Sequence, residues 1–214
     1  MTFPRICMLG LLGLCLPVLA KAQGNQQPQY DYRDGDIVFY SGAGAQSDAI
    51  REATRSPYTH CGVLFSHKGQ WWVLEAVQPV RSTRLEDFIR RGAPDTFRTY
   101  RLKKPLDPQA ADRVKAWVEA QIGKDYDFKF LWEDEKLYCS ELVWKLYAQA
   151  GVKLCAPKTF KEYDLTSPIV KKIIRLRYGD INKLPLEEPV VAPSDIAASN
   201  LLAEAPRLKK GLKR

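Results

Sequence analysis

"THCGVLFSHKGQWWVLEAV", residues 59–77, holds two apolar runs separated by the polar, glycine-containing "SHKGQ". That pattern predicts a β-hairpin. Side chains alternate along a strand, so His60, Gly62 and Leu64 share one face while Cys61, Val63 and Phe65 share the other. On the returning strand Glu75 lies with Trp71 and Val73. Directly opposed residues of a hairpin point to the same side, so a loop of even length sets His60 and Glu75 on one face. A two-residue turn at His67-Lys68 opposes them directly, and one at Lys68-Gly69 makes them diagonal neighbours. A three-residue loop separates them unless a bulge intervenes. His67 falls at the turn and is expected to be exposed.

The elements on either side extend the picture. "GDIVFYSG" (35–42) has the β-branched and aromatic content of a strand, and "AQSDAIREATRS" (45–56) reads as a short helix closed before Pro57. "RSTRLEDFIRR" (81–91) predicts a short helix around Phe88, and "DTFRTYRL" (95–102) an alternating strand. Asp107 is placed to cap a helix that starts at Pro108, runs through "QAADRVKAWVEAQIG" and stops at Gly123. A last helix spans Ser140 to Ala150, with Leu142, Val143, Leu146 and Tyr147 on one stripe and Gly151 closing it. Strands lead and helices follow, which gives an α+β fold, with an antiparallel sheet or partial barrel packed against the helix that Cys139 opens.

Three side chains then invite chemistry. A carboxylate beside an imidazole accepts its N–H, selects the tautomer and favours the imidazolium, so the other nitrogen can take a proton from a nucleophile or hold a thiolate. Gly62, on the same face as His60 and Glu75, leaves room for a neighbour. Cys139, in "EDEKLYCSELVWKLYAQAG" (133–151), stands at a helix start, where unpaired N–H groups and the positive end of the macrodipole favour thiolate and could hold an oxyanion. Each residue also has an inert reading: a satisfied core histidine, a strand-end carboxylate in a surface ion pair, a buried apolar cysteine.

The remainder of the chain sets the context. "MTFPRICMLGLLGLCLPVLAKA" (1–22) has a basic start, an apolar stretch too short to span a membrane and a small-x-small ending, and it is expected to be a cleaved signal peptide. The protein is then exported, periplasmic or extracellular, with no transmembrane anchor after cleavage. Residues 23–182 form one domain on this reading, and 183–214 a largely unpacked basic tail with a short helix near Leu201. The formal net charge of +8 falls to +6 on cleavage, because Arg5 and Lys21 leave and no acid does. The basic residues are scattered and carry no nucleic-acid-binding motif, so nucleic acid is not expected as a partner. Cleavage leaves Cys61, Cys139 and Cys155, an odd number with no CxxC pair, and two histidines, His60 and His67. No metal or cofactor is expected from such a set. Cys61, in an apolar strand, is simplest as a reduced buried thiol rather than bridged to Cys155.

Taken in order, "GDIVFYSG", "THCGVLF", "VLEAV" and "YCSELVWKLY" resemble the circularly permuted branch of the NlpC-type papain-like cysteine hydrolases, specifically its YiiX-like amidase group. The resemblance covers about residues 33–155 and implies a permuted papain-like fold, in which the histidine strand precedes the cysteine helix. It places the nucleophile on Cys139, the base on His60 and the orienting residue on Glu75. "GKDYDF" resembles the segment leading to the cysteine, which makes Tyr126 a residue that lines the substrate site. Cys61 departs from the small aliphatic residue more usual there; by alternation it points to the opposite face and leaves the chemistry intact. The implied activity is that of a cysteine hydrolase cleaving amide bonds, less readily ester bonds, in small amides or peptides, peptidoglycan-derived ones among them. A lipid-directed thioesterase or acyltransferase of the same fold and a non-catalytic ligand-binding member are the alternatives.

Overall fold

The computed structural model describes residues 29–208, so the expected signal peptide and the last six residues lie outside the described part. A six-stranded sheet, antiparallel throughout, forms the frame. Its strands are β1 (Ile37–Tyr40), β2 (His60–His67), β3 (Gln70–Glu75), β4 (Arg81–Arg84), β5 (Arg98–Leu102) and β8 (Leu202–Glu204), in the spatial order β4-β3-β2-β1-β5-β8. The sheet stays open, with β4 and β8 at its edges. A small second ladder joins β6 (Lys158–Thr159) to β7 (Pro189–Val190). The helices are α1 (Ala45–Thr54), α2 (Leu85–Arg91), α3 (Pro108–Glu119), α4 (Cys139–Gln149), α5 (Pro168–Tyr178) and α6 (Pro193–Ala197). None among the described residues is long and apolar enough to cross a membrane.

The β2–β3 register sets His67 against Gln70, so the turn is Lys68-Gly69. Both turn residues have positive φ, 50° and 72°, the conformation whose twist matches a tight hairpin. Each face of the sheet buries its own core. Ile37, Phe39, Cys61, Val63 and Leu74 meet Leu142, Val143 and Leu146 of α4 on one face. Val38, Tyr40, Leu64 and Val73 meet Leu85 and Phe88 of α2, with Phe97, on the other. Asp36, fully buried at the head of β1, is held by two hydrogen bonds from Arg101 of β5, at 2.7 and 2.8 Å. That pairing locks the two adjoining strands.

The short helix around Phe88 is α2, and "RSTR" before it adds the edge strand β4. One expectation changes. The stretch from 183 to 208 is packed rather than loose. Val190, Val191, Ile196, Leu202 and Ala205 are buried, and the chain supplies β7, α6 and β8, the last paired with β5. The short helix lies at 193–197, and Leu202 opens a strand. Prolines there start or end elements, as Pro193 does at the first turn of α6.

Candidate active site

The hairpin brings His60 and Glu75 together as diagonal neighbours. His60 Nε2 donates to Glu75 Oε2 at 2.6 Å, and Glu75 is fully buried. Continuing the β2–β3 register sets Gly62 against Glu75. A Cβ on Gly62 would lie 2.5 Å from Val73 Cγ1, 2.7 Å from the Leu74 carbonyl oxygen and 3.3 Å from Glu75 Cβ. The glycine is there because the strands approach too closely for a side chain. Arg91, from the end of α2, donates to the other carboxylate oxygen of Glu75 at 2.5 Å and lies over the rings of Tyr40 and Phe88. Burial alone would push the Glu75 carboxyl up, but His60, then Arg91 and Thr83, hold it below its ordinary value.

Cys139 is the first residue of α4 and almost fully buried. The first turn is pinned from three directions. The Tyr138 N–H donates to Glu141 Oε2 at 3.3 Å, Ser140 Oγ donates to the Val191 carbonyl at 2.7 Å, and the Val191 N–H donates to the Tyr138 hydroxyl at 3.2 Å. The C-terminal segment therefore fixes the thiol's position. Cys139 faces the His60 ring closely enough for each to shift the other's ionisation, and with Nε2 committed to Glu75 the nitrogen left for the sulfur is Nδ1. Burial alone would lower the imidazole, yet the Cys139 thiolate and Glu75 hold it up at about 9. In turn the Cys139 thiol lies well below its ordinary value. A hydrogen bond from the Cys61 thiol has the largest effect, opposed by burial and reinforced by His60 and the Cys61 N–H. Both shifts run in the direction of a thiolate–imidazolium pair.

Cys61 corrects one expectation. It does point to the opposite face of β2 from His60, but that is the face α4 packs on, so its thiol and N–H both reach Cys139. Burial pushes the Cys61 thiol itself well up, which keeps it a donor. Cys61, Cys139 and Cys155 are all free thiols.

Tyr126 sits beside this centre, buried, with its hydroxyl accepting from Gln46 Nε2 at 3.0 Å. The Gln46 carbonyl oxygen accepts from Arg177 at 2.6 Å, which orients the amide and leaves the Tyr126 O–H free to donate. Arg177 lies half-buried over the Phe130 ring, 4.6 Å from its centroid. Cys139, Tyr126 and Arg177 all border a cleft between α1 and α5. Arg91, Gln46 and Arg177 were not singled out in the sequence. Nothing in local composition marks them, since each acts through a contact distant along the chain.

A thiol on a helix start, reached by a strand histidine that a buried carboxylate orients, is the arrangement of a papain-like thiol hydrolase. Here the histidine strand comes first, which is the permuted order. The chain belongs to the family described as permuted papain-like amidase enzyme, YaeF/YiiX, C92 family, whose model matches residues 31–209. It is 36% identical over 193 residues to the uncharacterized protein YiiX of Escherichia coli strain K12, covering 90% of each chain. A crystal structure described as metalloprotein YiiX from Escherichia coli O157:H7 superimposes with a TM-score of 0.76 at 35% identity, over 86% of this chain and 99% of that one.

Proposed function

We propose that the protein is an exported cysteine amidase that works through an acyl-enzyme on Cys139. The observation that carries this reading is the buried relay, in which Glu75 fixes the His60 tautomer and His60 faces the thiol. Cys139 Sγ attacks the amide carbonyl carbon, and the carbonyl electrons move to oxygen. Tyr126 O–H and the N–H groups opening α4 serve as donors to that oxyanion on this reading. As the C–N bond breaks, the His60 imidazolium gives its proton to the departing amine, leaving a thioester and a neutral ring. Water, deprotonated by His60, then attacks the thioester; the acid leaves and the thiolate–imidazolium pair returns. An ester substrate follows the same course with an alcohol as leaving group.

The name of the O157:H7 structure raises a metal. Among the described residues no three His, Cys, Asp or Glu side chains converge as a metal site requires, and His60 and Glu75 are committed to each other. No step is routed through a metal.

The test is Cys139→Ser measured on a panel of amides and esters together with thermal unfolding. Turnover is expected to fall by at least a hundredfold with the unfolding midpoint nearly unchanged, and wild-type protein quenched in acid should carry the acyl mass on Cys139. Full activity of the serine variant on a confirmed substrate would show that another residue is the nucleophile.

A further inference from the structure

Arg177, Gln46 and Tyr126 form a chain whose hydrogen-bond directions admit one assignment. Arg177, on α5, has donors and no acceptor, so the Gln46 atom 2.6 Å from its Nη2 is the amide oxygen. The amide nitrogen of Gln46, on α1, is then the atom 3.0 Å from the Tyr126 hydroxyl, and an amide nitrogen only donates. The Tyr126 oxygen is therefore the acceptor there, and its own proton points elsewhere. Among the described residues the hydroxyl, on a buried side chain, makes no other hydrogen bond. The residue is not free to turn and find one. Its N–H donates to Gln78 Oε1 at 2.7 Å, and the rings of Phe128 and Phe130 pack edge-on to its own. A buried O–H without an acceptor is costly, and a site that keeps one has an acceptor supplied from outside the protein. Tyr126 borders the cleft together with Cys139, so that acceptor arrives beside the thiol.

We infer that Gln46 and Arg177 are positioning residues for acyl transfer, which together aim the Tyr126 O–H at the carbonyl oxygen that becomes negative when Cys139 attacks. The inference rests on Cys139 being the acyl-transfer nucleophile. Neither Gln46 nor Arg177 touches the reacting atoms. The Tyr126 proton is not transferred: it hydrogen bonds to the oxygen that holds the displaced electron pair, until the carbonyl re-forms and the leaving group departs. The guanidinium at the far end draws on the Gln46 oxygen, which makes the amide N–H a stronger donor to Tyr126 and the Tyr126 O–H in turn a stronger donor to the oxyanion. With an acceptor on α1 instead, the hydroxyl would be satisfied before the substrate arrived and its direction towards the oxyanion would be lost.

The experiment compares two reactions of the same thiol in the full chain. Acylation by p-nitrophenyl acetate builds an oxyanion on the attacked carbonyl, whereas alkylation by iodoacetamide displaces iodide and builds none. Acylation is read from the p-nitrophenol burst with the acetyl mass on Cys139, alkylation from mass-mapped labelling, and their ratio removes any change in thiolate content. Tyr126→Phe should lower that ratio about a hundredfold, the usual cost of one lost oxyanion donor. Gln46→Glu keeps the length and the Arg177 contact but offers only acceptors, so it draws the Tyr126 proton away from the cleft. It should lower the ratio as far as Tyr126→Phe does, and the double variant should go no further. An acid in the first turn of α1 is favoured by the helix dipole, so the unfolding midpoint should not fall. Arg177→Met lets the amide turn over and should give a smaller loss of the same kind. A Tyr126→Phe ratio equal to wild type overturns the inference. So does a Tyr126→Phe loss that Gln46→Glu does not share, which leaves Cys139 and Tyr126 standing without the chain behind them. Losses that multiply in the double variant overturn it too, since Gln46 would then act by another route. Wild-type protein that takes no acetyl mass on Cys139 overturns the nucleophile, and the inference with it.

Discussion

At the scale of single residues, the thiol's chemistry is set by three neighbours that oppose the cost of burying its charge. The Cys61 thiol, the His60 ring and the Cys61 N–H all stabilise sulfur as an anion. Iodoacetamide labelling of Cys139 should therefore stay fast from about pH 8 down to about pH 6, where an ordinary thiol of pKa about 8.5 is almost wholly protonated. His60→Ala should slow the reaction at least tenfold at about pH 6, and Cys61→Ala should slow it less, whereas Cys155→Ala should leave it unchanged. Mass-mapped rates across that range decide the matter; a Cys61→Ala profile identical to wild type would show that the second thiol contributes nothing. Glu75 has two partners, so its removal has two costs. Glu75→Gln should lower turnover with little change in KM, and should also cost about 3 kcal/mol in urea unfolding, because Arg91 and the His60 ring lose a buried counter-charge.

At the scale of elements, the hairpin does the positioning. Its turn at Lys68-Gly69 makes His60 and Glu75 diagonal, and Gly62 lets β3 come close enough for the 2.6 Å bond. Gly62→Ala should destabilise the protein by about 1–3 kcal/mol and lower activity further than unfolding explains, since Val73 and the Leu74 carbonyl must give way. Activity at full folding, compared with wild type, separates the two effects. Much of this was legible in the sequence, because strand alternation is rigid and an even turn leaves few choices. The cysteine helix was legible for a similar reason, its four apolar residues marking one face. The C-terminal segment was not. Val190, Val191, Ile196 and Leu202 fall among prolines without a helix or strand period, and their burial depends on a groove that α4 and β5 create from elsewhere in the chain. Arg91 was hidden in the same way: a basic residue at the end of α2 looks solvated until the fold sets it against Glu75.

At the scale of the whole molecule, ionisation inside the core makes stability depend on pH, and the sign can be worked out from three groups. His60 is raised to about 9 and Cys139 is lowered. Between about pH 6.5 and 8 the folded pair therefore holds one proton, on the ring, while the unfolded pair falls from about one and a half, half its histidine still charged, to a little under one. The active pair's slope changes sign within that interval and its contribution nearly cancels across it. Glu141, the acid of "CSEL", is different. It is fully buried at the start of α4, and burial outweighs Lys145, 2.8 Å from its Oε1, so its carboxyl is pushed up to about 8. A group raised on folding contributes stability that is whole below its unfolded value and is lost as pH rises through the folded one. Folded Glu141 keeps a proton that the unfolded chain has given up, so stability should fall by about 1.4 kcal/mol for each pH unit from 6.5 towards 8. Glu141→Gln keeps the shape and abolishes the titration, so its stability should be level across that interval, and by about pH 8 it should exceed the wild type. Urea unfolding at half-unit steps gives both curves. Parallel slopes for wild type and variant would assign the pH dependence to some other group and would mean that Lys145 holds Glu141 ionised.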